Sequence, residues 1–409
     1  MVNGYYIHFL LFIILYKNKV IDKKRVSVYN IFMKMQMEDN MKKKKTERIA
    51  GLDILRTLAI ILVMVTHFIN YRADHFLKSG LRSPLWTLAV LIRYIALINV
   101  PLFLLLTGYL LWRRKPDRRH AAAVIPVMLS WLVLSCIISA AEVPLFGMGE
   151  GGIARRILYL FDFRFGYTWY VEMYLCLYLI LPFLNILLDH LTQKQQLWLI
   201  GSFAVLTMLP GVGKSFIVTG IYFDIFPDQF EGIYCITYYL IGAYIARHKP
   251  RPHPCLCAAS AIAVLALETA LNYYYSSAEY AWWLFYQYSS LTHAIVATSL
   301  LLIFYRVQRL PRIIGIPIRE ISVCSFEMYL VSYLTDLIFY GSSAMIVTVP
   351  WLTRFTSHAM WMMGLCDFFT AYLIARIARL ALVPIADRLR RLAAGRAAEP
   401  TPAVQGTQP

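Results

Sequence analysis

Apolar runs long enough to enter a bilayer follow one another along most of the chain, each closed by a basic cluster or a short polar turn. They fall at roughly 48–70, 86–112, 122–141, 168–188, 195–210, 230–247, 256–275, 282–305, 318–341 and 358–382. At about 20 apolar residues per crossing, this pattern predicts an all-α fold, a polytopic transmembrane helix bundle of about ten spans. The fifth run is the weakest, because it stops at Leu209-Pro210. If it failed to cross, every later loop would change sides.

The basic residues test that count independently, since cytoplasmic loops should carry the excess of Lys and Arg. With the amino terminus inside, the inner segments are KKKKTER, RRKPDRRH (113–120), the turn with Lys194, RHKPRPH (247–253), the run with Arg306, Arg309, Arg312 and Arg319, and the tail RLRRLAAGR. Both termini are then cytoplasmic. The outer loops, 71–85, 142–167, 211–229, 276–281 and 342–357, hold fewer basic residues and include Asp74, Glu142, Glu150, Asp224, Asp228 and Glu279. Arg155, Arg156 and Arg164 depart from the rule, in a stretch where charges alternate with aromatics as in a segment lying on the membrane or folding back toward the bundle.

Composition agrees. Apolar residues make up 59% of the chain and charged ones 15%, against roughly half apolar in soluble domains. The net charge of +17 would suit a nucleic-acid partner, but the cations sit between apolar runs with no nucleic-acid fold motif beside them, so none is expected. The seven cysteines lie mostly within apolar segments and lack metal-ligand spacing. No metal is expected.

Three divisions follow: an extension over 1–47, a membrane domain over 48–390, and a polar, proline-containing tail over 391–409 expected to be disordered. In the extension, Tyr5–Tyr16 is shorter than a normal span and no small-residue cleavage site follows it. Met33, Met35, Met37 and Met41 precede Lys42–Lys45, so one reading is an internal start behind an overlong gene model. A short interfacial anchor and an extra helix are the others.

Charge inside the apolar runs carries the chemistry. RIAGLDILRTLAIILVMVTHFINY (48–71) bears Asp53, Arg56 and His67. At about 100° per residue the step from Arg56 to His67 closes to within roughly 20° of whole turns, so both share a face about 16 Å apart along the axis. Asp53 lies one turn before Arg56. Ionisable groups in a span are costly, which makes a functional site the first hypothesis. The plainer reading is a structural Asp53–Arg56 ion pair with His67 capping the outer end.

Other polar residues accompany this helix: Arg93, Asn99, Glu172, Glu268, His293, Glu327, Asp336 and Asp367. Glu268 and Asp336, near outer ends, are expected to reach water. Glu172 and Glu327 lie within spans, where each either pairs with Arg93 or takes part in chemistry. Imidazole is neutral and basic near pH 7, which suits His67 to general-base work. Arg56 keeps its proton, so it suits anion binding or the holding of a carbonyl oxygen. That division of labour fits acyl transfer, in which a hydroxyl loses a proton as negative charge builds on a thioester oxygen. HExxH and GxSxG are both absent. GVGKS (211–215) ends like a phosphate-binding loop, but Met208 occupies the first glycine's place, and the match reads as chance.

These motifs resemble the integral-membrane acyltransferases of the acyltransferase-3 group, over nearly all of residues 48 to 390. GLDILRTLAIILVMVTHF is similar to the family's first-helix signature, with Arg56 and His67 at its arginine and histidine and Asp53 also fitting. NVPLFLLLTGYLLWRRK (99–115) resembles its second span, in which Pro101, Phe103 and Gly108 allow a kink and close packing. TWYVEMYLCLYLILPFLN (168–185) resembles its aromatic fourth helix. ISVCSFEMYLVSYLTD (321–336) lies near its Ser-x-x-x-Tyr-Leu signature, here Ser325, Tyr329 and Leu330.

There are departures. Ser332 stands where many members have a histidine after the Tyr-Leu pair, which leaves Ser325 and Glu327 as candidates for its polar role. Ala123 and Val124 precede Pro126, where a further arginine is often found.

The resemblance implies acetyl-CoA as a cytoplasmic acyl donor, no tightly bound cofactor, and an acceptor hydroxyl on a surface polysaccharide or lipid-linked sugar. It also implies a multi-pass protein of the bacterial cytoplasmic membrane. His67, Arg56 and Asp53 would be catalytic, with Arg93, Glu172, Ser325, Glu327 and Tyr329 as substrate-binding candidates. Arg113, Arg114, Lys115, Arg118 and Arg119 would form an anion patch for the donor's phosphates, although basic inner loops are expected of any membrane protein. The alternative from another class is a transporter or flippase, with Arg56 and Glu172 binding cargo and His67 carrying protons. A membrane subunit without chemistry is the third reading.

Overall fold

A computed structural model describes residues 48–71, 76–146, 166–214, 228–341 and 357–395. Every element longer than a turn in these residues is helical, and no strand occurs among them. The main helices are α1 (Ala50–Tyr71), α2 (Pro84–Ala96), α3 (Asn99–Leu111), α4 (Arg118–Ala123), α5 (Ile125–Phe146) and α6 (Trp169–His190). They continue as α7 (Gln193–Lys214), α8 (Tyr234–His248), α9 (Pro254–Tyr275), α10 (Leu291–Phe304), α11 (Arg312–Asp336) and α12 (Ser357–Ala393). Among the described residues eight stretches are long and apolar enough to cross a membrane, against about ten expected, and α10 is a shorter apolar helix. Each expected run thus holds a helix, and the chain is a multi-pass membrane protein.

Several boundaries differ from expectation. The second run is two helices, α2 and α3, with a turn at Leu97–Ile98. Ser83 caps α2 by accepting from the Trp86 N–H, and Pro84 sits where its missing N–H costs nothing. Pro101 lies in the first turn of α3 for the same reason. The eighth run is helical only from Leu291. Before it, Tyr280, Ala281, Leu284 and Phe285 fold inward onto Trp86, Val90 and Tyr94 and close one end of the bundle.

Glu142, expected in an outer loop, is buried within α5. Gly211–Lys214 are helical, so no phosphate-binding loop forms there. α12 runs 37 residues to Ala393, three past the expected domain boundary. At 1.5 Å per residue this is about 55 Å, longer than a bilayer core of roughly 30 Å, so its basic end projects beyond the hydrocarbon. The extension's Tyr5–Tyr16 run, the segment with Arg155, Arg156 and Arg164, and residues 396–409 lie outside the described residues.

The bundle is built around α1. Leu52, Leu55, Ala59 and Leu62 pack toward α3 and α10 in a cluster that α8 joins, Ile60, Val63 and Met64 toward α11 and α12 in one that α5 joins, and Phe68 and Ile69 toward α2. Apolar side chains that face outward, such as Leu365, Phe369, Leu373, Ile377 and Leu380 on α12, recur every three to four residues and form a lipid-facing stripe.

Lipid is as apolar as leucine, so helix association relies on close packing. Gly108 and Gly242 supply it where α3 meets α8: a Cβ on Gly108 would lie 2.1 Å from the Tyr239 carbonyl oxygen, and one on Gly242 2.1 Å from that of Leu105. Both obstacles are backbone, which cannot swing aside. Gly108→Ala is therefore expected to cost at least the roughly 1–3 kcal/mol of ordinary overpacking. Gly201→Ala, with no atom within 4 Å of its Cβ, should be neutral. Thermal unfolding in detergent checks the pair; equal midpoints for Gly108→Ala and wild type would refute this packing argument.

Candidate active site

Two parallel helices carry the site. On α1 the positions Asp53, Arg56, Ile60, Val63 and His67 follow one another at steps of three and four, and on α11 Ser322, Ser325, Tyr329, Ser332 and Asp336 do the same. Such steps keep one face turned toward a neighbouring helix. The 14 positions from Asp53 to His67 equal the 14 from Ser322 to Asp336, so helices with equal rise bring both ends into register. The contacts bear this out at each end.

At the first end, Ser322 Oγ donates to Asp53 Oδ1 at 2.8 Å and accepts from Arg56 Nη1 at 3.2 Å. Arg56 Nη1 lies 3.7 Å from Asp53 Oδ1. The Thr57 hydroxyl donates to the Ile318 carbonyl at 2.8 Å, which ties the same turn to α11. Asp53 also sits in the first turn of α1, where the helix dipole favours a carboxylate. The guanidinium is thereby aimed by two side chains while part of it stays open, at 27% side-chain exposure.

At the other end, His67 Nδ1 lies 2.7 Å from Asp336 Oδ2. The distance is that of a hydrogen bond, although the ring N–H direction is not well aligned with the oxygen. The His67 side chain is 31% exposed and Asp336 2%. Asp336 thus does not reach water as expected. Asp367 of α12 is also buried here, and the Tyr340 hydroxyl donates to its Oδ2 at 3.3 Å. With Nδ1 turned to a carboxylate, Nε2 is the nitrogen left to meet a substrate.

A cavity of about 240 Å³ opens beside Arg56. Val63 lines it, on the face of α1 between Arg56 and His67, with Thr107, Tyr170, Tyr174, Ser325 and Tyr329 around it. It therefore climbs from the guanidinium to one turn below the imidazole. Tyr329 is fixed by donating to the Tyr167 carbonyl at 2.6 Å.

Other residues expected at the site do not line this cavity. Arg93 donates to the Tyr280 hydroxyl at 2.8 Å and stacks over Trp282, and neither glutamate is its partner. Glu327 turns to α12 and accepts from Arg379 Nη1 at 3.1 Å, because it lies off the Ser325–Tyr329 stripe. Glu172 accepts from the Thr168 hydroxyl at 3.0 Å, at the start of α6. Glu268, expected to reach water, is fully buried 3.6 Å from His293. Arg113, Arg114, Lys115, Arg118 and Arg119 are exposed around the start of α4. Among the described residues no group of three or more His, Cys, Asp or Glu is placed to hold a metal ion.

Ser322 and Asp336 were not singled out as site residues from the sequence. Their signal is the polar stripe of α11, visible once it is laid beside that of α1. The profile of the acyltransferase-3 family, described as an acyltransferase domain, matches residues 49–382 and so spans both stripes. No curated protein sequence matches the chain. The chain belongs to the acyltransferase-3 family and is a membrane-bound acyltransferase.

Proposed function

We propose that this acyltransferase moves an acetyl group from cytoplasmic acetyl-CoA to a hydroxyl of a lipid-linked or surface sugar, in the bacterial cytoplasmic membrane. The observation that carries the reading is the His67–Asp336 pair on the same helical face as Arg56, with a cavity rising between them. The pantetheine arm enters past Arg56, and the acceptor approaches His67 from the opposite side. His67 Nε2 takes the proton of the acceptor hydroxyl as its oxygen attacks the thioester carbonyl. The carbonyl oxygen gathers negative charge beside the imidazole, while Arg56, at the inner end of the stripe, holds the donor's arm through hydrogen bonding. The C–S bond then breaks, the ester is complete, and the leaving thiolate takes the proton back from the imidazolium. Asp336 holds the ring in one tautomer and balances the charge it gains. CoA stays inside throughout.

An apolar groove of about 440 Å³ supports a lipid-linked acceptor. It is lined by Phe68, the neighbour of His67, and by Ile69, Ile92, Tyr340 and Phe368. A lipid tail lying there would hold its headgroup near the imidazole.

Thiol release from acetyl-CoA by the detergent-purified chain tests the reading, alone and with a lipid-linked glycan. Slow release alone, accelerated by acceptor, is expected. A folded protein that neither binds acetyl-CoA nor releases thiol with acceptor present would overturn it.

A further inference from the structure

Below α1, at the end where Arg56 lies, the chain builds a second cavity, of about 660 Å³. Ile49, Tyr109, Lys249, Arg251, Tyr305, Arg306 and Gln308 line it. Its walls are tied together. Tyr305 Oη donates to the Pro250 carbonyl at 2.6 Å, and Arg306 Nη2 to that of Pro252 at 2.7 Å. The N–H groups of Ala50 and Gly51 donate to the carbonyls of Gln308 and Val307, which seats the start of α1 on the same turn.

Three cations converge here. Lys249 leaves α8 in the left-handed region, with φ of 49°, and its ammonium lies 4.1 Å from the centre of the Tyr109 ring and donates to the Tyr109 hydroxyl. Arg306 keeps a buried Nε with no partner. Among the described residues, no carboxylate forms an ion pair with Lys249, Arg251 or Arg306. Burial, with the Arg113 charge second, holds the Lys249 ammonium below the ordinary lysine value, and an anion in the cavity would favour the charged form.

Solvated loop cations are usual on an inner face, yet these three are gathered on one roomy cavity whose lining holds no carboxylate. Ile49 and Arg56 are seven residues apart, hence on one face and about 10 Å apart along the axis. The cavity therefore lies below the guanidinium, on the path of an arm that rises past it.

We propose that this cavity binds the phosphates of the nucleotide end of the acyl donor, with Lys249, Arg251 and Arg306 as their ligands. The proposal rests on acetyl-CoA being the donor. It moves the phosphate seat from the exposed Arg113–Arg119 loop to the junction of α8, α10 and α1.

Binding of CoA and of adenosine 3′,5′-bisphosphate to the detergent-purified full chain tests it, with inorganic pyrophosphate as a third probe and phosphatidylglycerol as competitor. Lys249→Ala with Arg251→Ala should weaken CoA by at least about tenfold, the range of lost charge-assisted contacts. Arg118→Ala with Arg119→Ala should change it far less. Adenosine 3′,5′-bisphosphate should compete with CoA in wild type and not in the first variant. Tyr109→Phe, which keeps the ring but frees Lys249, guards against misfolding and should weaken CoA in the same direction.

If wild type binds CoA and both the double variant and Tyr109→Phe match it, the seat is overturned while the donor reading stands. Displacement of the nucleotide by phosphatidylglycerol alone would mark a lipid-headgroup site and also overturn it. A wild type that binds pyrophosphate at these residues but neither binds nor turns over acetyl-CoA would overturn the donor assignment.

Discussion

Replacing His67 by Ala or Gln is expected to lower acetyl transfer by about 10² to 10⁴, the range typical of a lost general base. The fall should appear in kcat with little change in KM for acetyl-CoA, because in the proposed reading the imidazole meets the acceptor while the donor's arm is held at the other end of the stripe. Asp336→Asn should follow in the same direction by a smaller factor, since the base remains but its partner no longer carries charge. Initial rates of acetyl transfer to a lipid-linked glycan, with acetyl-CoA varied, separate the two constants. The plainer alternative, a His67–Asp336 contact that only fastens α1 to α11, predicts something else. His67→Gln would then lower the unfolding temperature and leave kcat of the remaining folded protein within about threefold of wild type. That outcome would remove His67 from the chemistry.

Much of this arrangement is legible in the chain because a bilayer imposes strong rules. A spanning segment must be long and apolar, and its charges must have a reason. Arg56 and His67 stand out on those grounds alone. Asp336 does not, because its place near the end of an apolar run also suits a residue that simply reaches water. What decides between these is the register of α1 against α11, a contact between segments 269 positions apart for Ser322 and Asp53. Periodicity within one helix cannot report it. Glu327 shows the converse error. Beside Ser325 and Tyr329 in sequence, it reads as part of their site, yet two steps along a helix turn it some 160° from Ser325 and toward Arg379. Arg93 likewise depends on an element that is invisible to hydropathy. Its partner Tyr280 belongs to the irregular stretch before α10, which apolar composition alone had assigned to the start of a span.

Arg56→Lys is expected to raise KM for acetyl-CoA by about tenfold with a smaller change in kcat, because the proposed role of the guanidinium is to hold the donor's arm at the inner end of the stripe. The charge survives this change, so a loss would point to geometry. A guanidinium offers a planar fork: in this chain Nη1 is engaged by Ser322 while the group remains more than a quarter exposed toward the cavity. An ammonium on a shorter side chain can keep the Asp53–Ser322 end or reach the donor's arm, but not both. Ser322→Ala separates the two jobs. It leaves the guanidinium intact and removes the hydroxyl that aims it, so its effect should be about tenfold and should not add to that of Arg56→Lys in the double variant. Steady-state rates for wild type, both single variants and the double complete the cycle. If Arg56 serves only as the positive half of an ion pair with Asp53, lysine should substitute with nearly full activity, and Asp53→Asn should harm the protein more than Arg56→Lys does. Wild-type KM and kcat in Arg56→Lys would take the arm-binding role away from the guanidinium, and the group that holds the arm would then be sought among the hydroxyls that line the same cavity, Ser325 and Tyr329 first.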